Sequence, residues 1–462
     1  MERKNLWQTY TNSQLEELEK TAENYRHCLD EGKTERECVK TAIRLAKKEG
    51  YQDMKELIGT GKQLRPGDKA YLDYMGKALV LFHAGAAPIE QGMNILGAHI
   101  DSPRIDIKQN PLHETEGLAY LDTHYYGGVK KYQWLALPLA IHGVVVKTSG
   151  EKIEICVGEE ETDPVLVITD LLPHLDKKRR EQSADKFVDG EQMDLLIGNR
   201  AQEEGEHPVS QGILKLLRDR YGMEEEDFLS AEFEIVPAGK ARECGLDQSM
   251  ILAYGQDDRV CAFSSLFAML EAQEITRTNC CLLVDKEEIG SVGASGMTSR
   301  FFENAVAEYL LLREGENYSD LLLRRTLANS KMLSSDVSAG YDPMYEDAFE
   351  KKNAAFLGEG PVFNKYTGAG GKSGSNDANP EYIAQIRGIM EKASVRFQTA
   401  ELGRVDVGGG GTIAYLMSVY GMEVIDSGVA VLSMHAPWET TSKADIYEAV
   451  RCYKAFLEAS FL

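Results

Sequence analysis

The 462-residue chain has no CxxC pair and no other finger-like spacing among its eight cysteines. Only Cys280 and Cys281 adjoin. They lie in an apolar run, CCLLV, that reads as a buried strand, and the cysteines as a set read as reduced core residues. No stretch approaches ~18 uninterrupted apolar residues. The opening MERKNLWQTYTNSQ has no apolar centre of the kind a secretory leader needs. These absences predict a cytoplasmic protein that makes no use of a membrane. Positive charge is also short: 51 Lys and Arg face 74 Asp and Glu, a net charge of −23. Such a surface repels nucleic acid and anionic lipid. No internal repeat is visible. What remains is 43% hydrophobic and 27% charged, the composition of an ordinary globular protein. The length is generous for one core, so two domains are expected.

The first 50 residues read as helical. Ser13 with Glu16 and Thr34 with Glu37 make capping boxes, and Gly50 is a stop. ALVLFHAG (78–85) and NILGAHID (94–101) are short apolar runs bounded by Gly and Pro, hence strands. Residues 103–160 are rich in Tyr, Val, Ile and Gly without helical periodicity: YQWLALPLAIHGVVVK, then EKIEICV and then PVLVITDLL read as a β-rich block. A charged stretch over 174–210 reads as a surface excursion, and AEFEIVPAG (231–239) as a further strand. Beyond about 245 strands and helices alternate. DDRVCAFSSLFAMLEAQ reads as an amphipathic helix, CCLLVD as a strand, MTSRFFENAVAEYLLLRE as a helix and KMLSSD as a strand. GTIAYLMSVYG is read as a helix, EVIDSGVAVLSMH as strands and 440–459 as a closing helix. This predicts an α/β sandwich made of residues 1–106 and 245–462, with a β-rich domain, 107–244, inserted between them.

In open α/β sheets ligands gather at the carboxyl ends of strands. The polar residues following each expected strand are therefore the candidates. They are His99 and Asp101, Asp257 and Asp258, Glu287 and Glu288, Asp336, and His435. Each alone has an ordinary reading. A histidine at a strand end is more often just hydrogen-bonded, adjacent glutamates are usually solvated charge, and an Asp pair before a helix serves as an N-cap. Together they are imidazole and carboxylate chemistry suited to zinc, cobalt or manganese. Two histidines and three carboxylates suffice for two ions if one carboxylate bridges. The adjacent Glu287 and Glu288 can supply one ligand and one base if the chain turns there, and Gly290 and Gly293 allow that turn.

With GAHIDSPR, the Asp-Asp-Arg before a helix, DKEEIGS, the SSD after a strand and SMHAPWE in this order, the chain resembles the aspartyl aminopeptidase family of dinuclear zinc metallopeptidases. That family includes the yeast vacuolar aminopeptidase, and the similarity covers nearly the whole length. The resemblance implies two zinc ions per subunit, with cobalt or manganese as substitutes, held by His99, Asp257 as the bridge, Glu288, Asp336 and His435. It implies Glu287 as general base and Asp101 as the carboxylate that orients His99. It implies an α/β zinc-peptidase domain, an inserted β-rich dimerisation domain, and a homo-oligomer: a tetrahedral dodecamer built from dimers. A histidine from a neighbour's insert enters the site in that family; His174 in LLPHL is the best match here, and His124 and His142 also lie in the insert. Lys365 in GPVFNKYTGAGGKSGSND falls one position later than the family's pocket lysine. If it faces the substrate it favours an N-terminal Asp or Glu by charge pairing.

Two glycine-rich runs invite other readings. GAGGKSGS fails as a phosphate loop, because Tyr366 stands where the first glycine is required and no apolar strand leads in. Gly408–Gly411 before Thr412 reads as a turn into a helix. The expected function is removal of N-terminal residues from peptides. The rivals are an aminopeptidase for neutral residues such as Leu, a two-metal amidohydrolase for acylated amino acids, and a non-catalytic shell.

Overall fold

Capping chemistry sets the first helices. Thr11, not Ser13, starts the helix Asn12–Glu31. Its hydroxyl accepts the Gln14 N–H, and the Gln14 side chain accepts the Thr11 N–H. Ser13 thus lies inside the first turn, which corrects the expected box. The second box holds: Thr34 and Glu37 cap Glu35–Lys48 reciprocally, and Gly50 follows with φ +84°. The structure is a computed structural model describing residues 5–202 and 205–461. Residues 1–4 of the polar opening and 203–204 of the charged stretch lie outside them. Among the described residues no helix is long and apolar enough to cross a membrane.

The chain is a mixed α/β protein of two compact units. The larger comprises Met1–Asp101, Ala241–Met434 and Glu439–Leu462. Among its described residues the strands form a nine-stranded and a five-stranded sheet. The centre of the nine-stranded sheet is parallel: Thr278–Val284, Met93–His99, Lys331–Ser335 and Glu423–Gly428 lie side by side in that order. Alternate residues of these strands feed two cores. Leu96, Ala98, Cys281, Leu283, Leu333 and Ile425 face one, with residues of helices Asn12–Glu31, Glu35–Lys48, Gln256–Glu271 and Lys443–Leu457. Ile95, Cys280, Leu282, Met332 and Val424 face the other, with residues of Phe301–Glu314 and Asp320–Ala328. Period-2 burial on both faces is why these strands read as continuous apolar runs.

The helix Gln256–Glu271 was expected to be amphipathic but is buried over nearly its whole surface. It packs against the strand Met93–His99 and the helices Asn12–Glu31 and Lys443–Leu457, so no face needs to be polar. The helix expected over GTIAYLMSVYG is confined to Ala414–Ser418.

The smaller unit is Ser102–Lys240 with His435–Trp438. Among its described residues seven strands pair antiparallel, in the order Lys152–Val157, Leu139–Val146, Ala231–Pro237, Arg104–Thr115, Leu118–Tyr126, Leu195–Gly198 and Val167–Ile168. The strand expected in PVLVITDLL shrinks to Val167–Ile168, and Leu171 and Leu172 are exposed beyond it. The charged stretch is not only excursion, for it holds the strand Leu195–Gly198. The helix Pro208–Tyr221 was missed. Its signals were present, with Pro at its first position and Gly222 in the left-handed conformation just past its end. The Glu114 carboxylate, from the strand Arg104–Thr115, accepts the Val209 and Ser210 N–H groups at 3.0 and 2.9 Å and so closes the helix start.

Candidate metal centre

The strand Met93–His99 ends at His99, beside Val284 of its parallel neighbour. Register alone therefore brings His99 next to the segment that carries Glu287 and Glu288. After Val284 the chain makes a tight turn, with Lys286 at φ +70°, a single helical turn over Glu287–Ile289, and Gly290 at φ +88°. Asp101 fastens that turn. Its carboxylate accepts the N–H groups of Glu287 and Glu288 at 3.1 and 3.2 Å, and it is 1% exposed.

The His99 Nδ1 lies 2.9 Å from the Asp101 backbone carbonyl and 3.4 Å from its carboxylate Oδ1. A carbonyl oxygen only accepts, so Nδ1 carries the proton and Nε2 is the atom turned to the acids. The Nε2 is 3.2 Å from Asp257 Oδ1 and 4.0 Å from both Asp336 Oδ1 and Glu287 Oε2. One donor atom each from His99, Asp257 and Asp336 lie within 4.8 Å of one another.

Asp257 opens the helix Gln256–Glu271, and its backbone N–H is held at 3.0 Å by the carboxylate of Glu439, a residue 1% exposed. Sequence reasoning quoted that glutamate, the last letter of SMHAPWE, without giving it a role. Only the three-dimensional contact reveals one. Asp336 follows the strand Lys331–Ser335, and its N–H is held by the Ser427 carbonyl at 3.0 Å. Gly428 comes so close to the Asp336 carbonyl that no side chain fits there.

The electrostatics ask for a cation. Burial drives the Asp336 carboxyl well above its ordinary pKa, and the charge of Asp258 adds to this. Asp258 is raised likewise, by burial first and Asp257 after it. Burial works against a charged His99, but the bonds to Asp101 and Asp257 outweigh it and hold the imidazole well above its ordinary value. A proton on His99 is the cation these acids retain when nothing else supplies charge. A divalent ion bound by imidazole nitrogen and carboxylate oxygen meets the same demand, so the residues fit a zinc-type ion.

His435, in the smaller unit, has Nδ1 2.9 Å from the Gly128 carbonyl, so its Nδ1 also carries the proton. His174 is exposed on the stretch between Val167–Ile168 and Arg179–Glu181. Lys365 follows the strand Val362–Asn364, and its ammonium is paired with Asp377. Asp377 also takes Lys372 at 3.0 Å.

A family profile described as aminopeptidase I zinc metalloprotease (M18) matches residues 28–457. The chain belongs to the M18 aminopeptidase family. A probable M18 family aminopeptidase 1 of Clostridium acetobutylicum is 54% identical over 458 residues, covering 99% of this chain and 98% of its own. The crystal structure of an M18 aminopeptidase from Thermotoga maritima superposes with a TM-score of 0.94 at 41% identity, over 99% of both chains. The mApe1 protein of S. cerevisiae, solved as a dodecamer, shares the fold with a TM-score of 0.76 at 20% identity, over 94% of this chain and 95% of that one. This M18 chain is a dinuclear, zinc-type, metal-dependent aminopeptidase. The resemblance read from GAHIDSPR to SMHAPWE named the right family.

Proposed function

We propose that Glu287 is the general base of this aminopeptidase. We further propose that His99, Asp257, Asp336, Glu288 and His435 are its metal ligands, with Asp257 shared. A pair of ions held by these residues would supply polarisation of the scissile carbonyl and a lowered pKa for the attacking water. Glu287 takes that water's proton and returns it to the leaving amine. Asp101 keeps Glu287 and Glu288 aimed by holding both of their N–H groups, and it keeps His99 upright through its carbonyl. The observation that carries this reading is the placement of the Glu287 carboxylate 4.0 Å from the His99 Nε2 that also faces Asp257 and Asp336.

Glu287→Gln tests it. The metal content should stay at the wild-type level while turnover falls about 10²–10⁴-fold, the usual worth of a positioned base. A variant that stays active means the base is misassigned. His435→Ala should instead lose metal.

The substrates are peptides with a free N-terminus. Lys365 argues for an N-terminal Asp or Glu. The pairing of Lys365 and Lys372 with Asp377 argues for a neutral residue, since the cations are already matched. A scan of aminoacyl-anilides, with N-acetylated amino acids as the amidohydrolase control, decides between them. The segment 107–244 is read as the dimerisation domain, inserted between the catalytic parts 1–106 and 245–462, and the dimers as building a dodecamer like that of the yeast enzyme. In that assembly His174 reaches a neighbour's site. Its place on an exposed stretch flanked by Leu171, Leu172 and Leu175, all exposed, supports this. The location is read as cytoplasmic, in keeping with eight free cysteines.

A further inference from the structure

Within the smaller unit, three side chains that the aminopeptidase chemistry does not use converge on one face of the sheet. Leu195 is registered with Leu121 across an antiparallel pair. Asp194 and Asp122, one residue further on each strand, therefore stand opposite one another. Like charges directly across two strands are destabilising. His113, on the strand Arg104–Thr115, reaches the same spot. Its Nδ1 is 2.9 Å from Asp122 Oδ1, and its Nε2 is 4.0 Å from Asp194 Oδ2. One donor atom from each of the three lies within 4.8 Å of the others. The imidazole is held in plane by stacking on Tyr120, with ring centroids 5.4 Å apart and 16° between the rings. The nearby Lys108 ammonium is bonded to Glu191 at 2.6 Å, and its charge also acts on Asp122 and Asp194 from outside the cluster.

One nitrogen and two carboxylate oxygens, from two strands and from the residue just before a third, make a donor set for a borderline divalent ion such as zinc, cobalt or manganese. The side chains are 39%, 35% and 25% exposed for His113, Asp122 and Asp194. An ion has an entry path, and water can complete its shell. Binding would join Arg104–Thr115, Leu118–Tyr126 and the short strand Leu195–Gly198 at one point. Those strands follow each other in the sheet, and among the described residues only the two-residue strand Val167–Ile168 lies beyond Leu195–Gly198. We propose that His113, Asp122 and Asp194 form a structural site for a divalent transition metal in the smaller unit, sharing no residue with the aminopeptidase centre.

The test uses the full-length chain, stripped with a chelator, desalted and dialysed against zinc at neutral pH. Metal per chain is then measured by mass spectrometry for wild type, His113→Gln and Asp194→Asn. Wild type should hold one ion per chain more than either variant, and zinc should raise its thermal midpoint more than theirs. All three proteins should keep wild-type turnover, which shows that the variants fold. With cobalt as the probe, one set of visible bands should be missing from both variants. Equal metal content in wild type and both variants overturns the proposal and leaves His113 as a partner of Asp122 alone. If His113→Gln fails to fold, the near-isosteric Asp194→Asn decides alone. The comparison counts a difference, so it does not depend on how many ions the aminopeptidase centre holds.

Discussion

Asp101→Asn should slow the enzyme without emptying it of metal. The carboxylate accepts two N–H groups, from Glu287 and Glu288. A carboxamide of the same shape has one accepting oxygen, and its NH₂ must face the other N–H, donor against donor. One hydrogen bond to a charged acceptor is lost, worth about 1.5–3 kcal/mol. If that loss falls on the geometry needed at the transition state, it corresponds to about a 10- to 150-fold drop in kcat, at roughly 1.4 kcal/mol per factor of ten. The KM should change little, because Asp101 is buried and holds the turn rather than the peptide. The assay is steady-state hydrolysis of an aminoacyl-anilide at saturating zinc, with metal content measured on the same sample. A kcat within about threefold of wild type would refute the idea that the Glu287–Glu288 turn depends on Asp101.

Three further outcomes are expected. Gly428→Ala should lower both thermal stability and metal affinity. The new methyl collides with the Asp336 backbone carbonyl, which cannot rotate away, and overpacking of this kind costs about 1–3 kcal/mol; a thermal melt and a zinc titration check it. Asn94→Ala should cost about 2–4 kcal/mol by chemical denaturation. The Asn94 amide caps the carbonyls of Phe456, Leu457 and Ala459, and its oxygen accepts from the buried Arg277 Nε at 2.9 Å, so the change strands several polar groups. Asp426→Asn should stabilise the protein at pH 8 and progressively less toward pH 5. Burial lifts the Asp426 carboxyl from 3.8 to about 7, with the Thr412 hydroxyl bond opposing the rise. The folded state thus keeps a proton that the unfolded state releases. Wild type loses stability as pH climbs from about 4 to about 7, and an asparagine has no proton to lose. Melts across that range decide it, and parallel curves for the two proteins would contradict the assignment.

How much of this was legible in the sequence depended on where each residue lies. His99 and the Glu287–Glu288 turn were readable because a buried parallel strand is a nearly pure apolar run, so the first polar residue after it marks the strand's carboxyl end. Asp336 was weaker locally, since KMLSSD ends in serines that blur the boundary. Glu439 could not be found that way, because its contact with Asp257 joins residues 182 positions apart. The helix Pro208–Tyr221 was lost for a different reason: a dense run of charge drew attention from the apolar spacing of Val209, Gly212 and Leu214. The amphipathic reading of Gln256–Glu271 failed because a helix covered on all sides has no polar face to display.

The strand carrying His99 has a consequence for the order of events during synthesis. Its two neighbours in the sheet, Thr278–Val284 and Lys331–Ser335, lie on the far side of the smaller unit in the chain. When His99 leaves the ribosome it has neither. At roughly 5–20 residues per second, the strand Met93–His99 waits on the order of 10–50 s before Ser335 follows. Through that interval an apolar strand with two open edges is exposed, while the antiparallel sheet of the smaller unit, made from contiguous sequence, has the time to form first. The peptidase centre is thus among the last parts of the molecule to be assembled, so a half-made chain cannot cleave its neighbours.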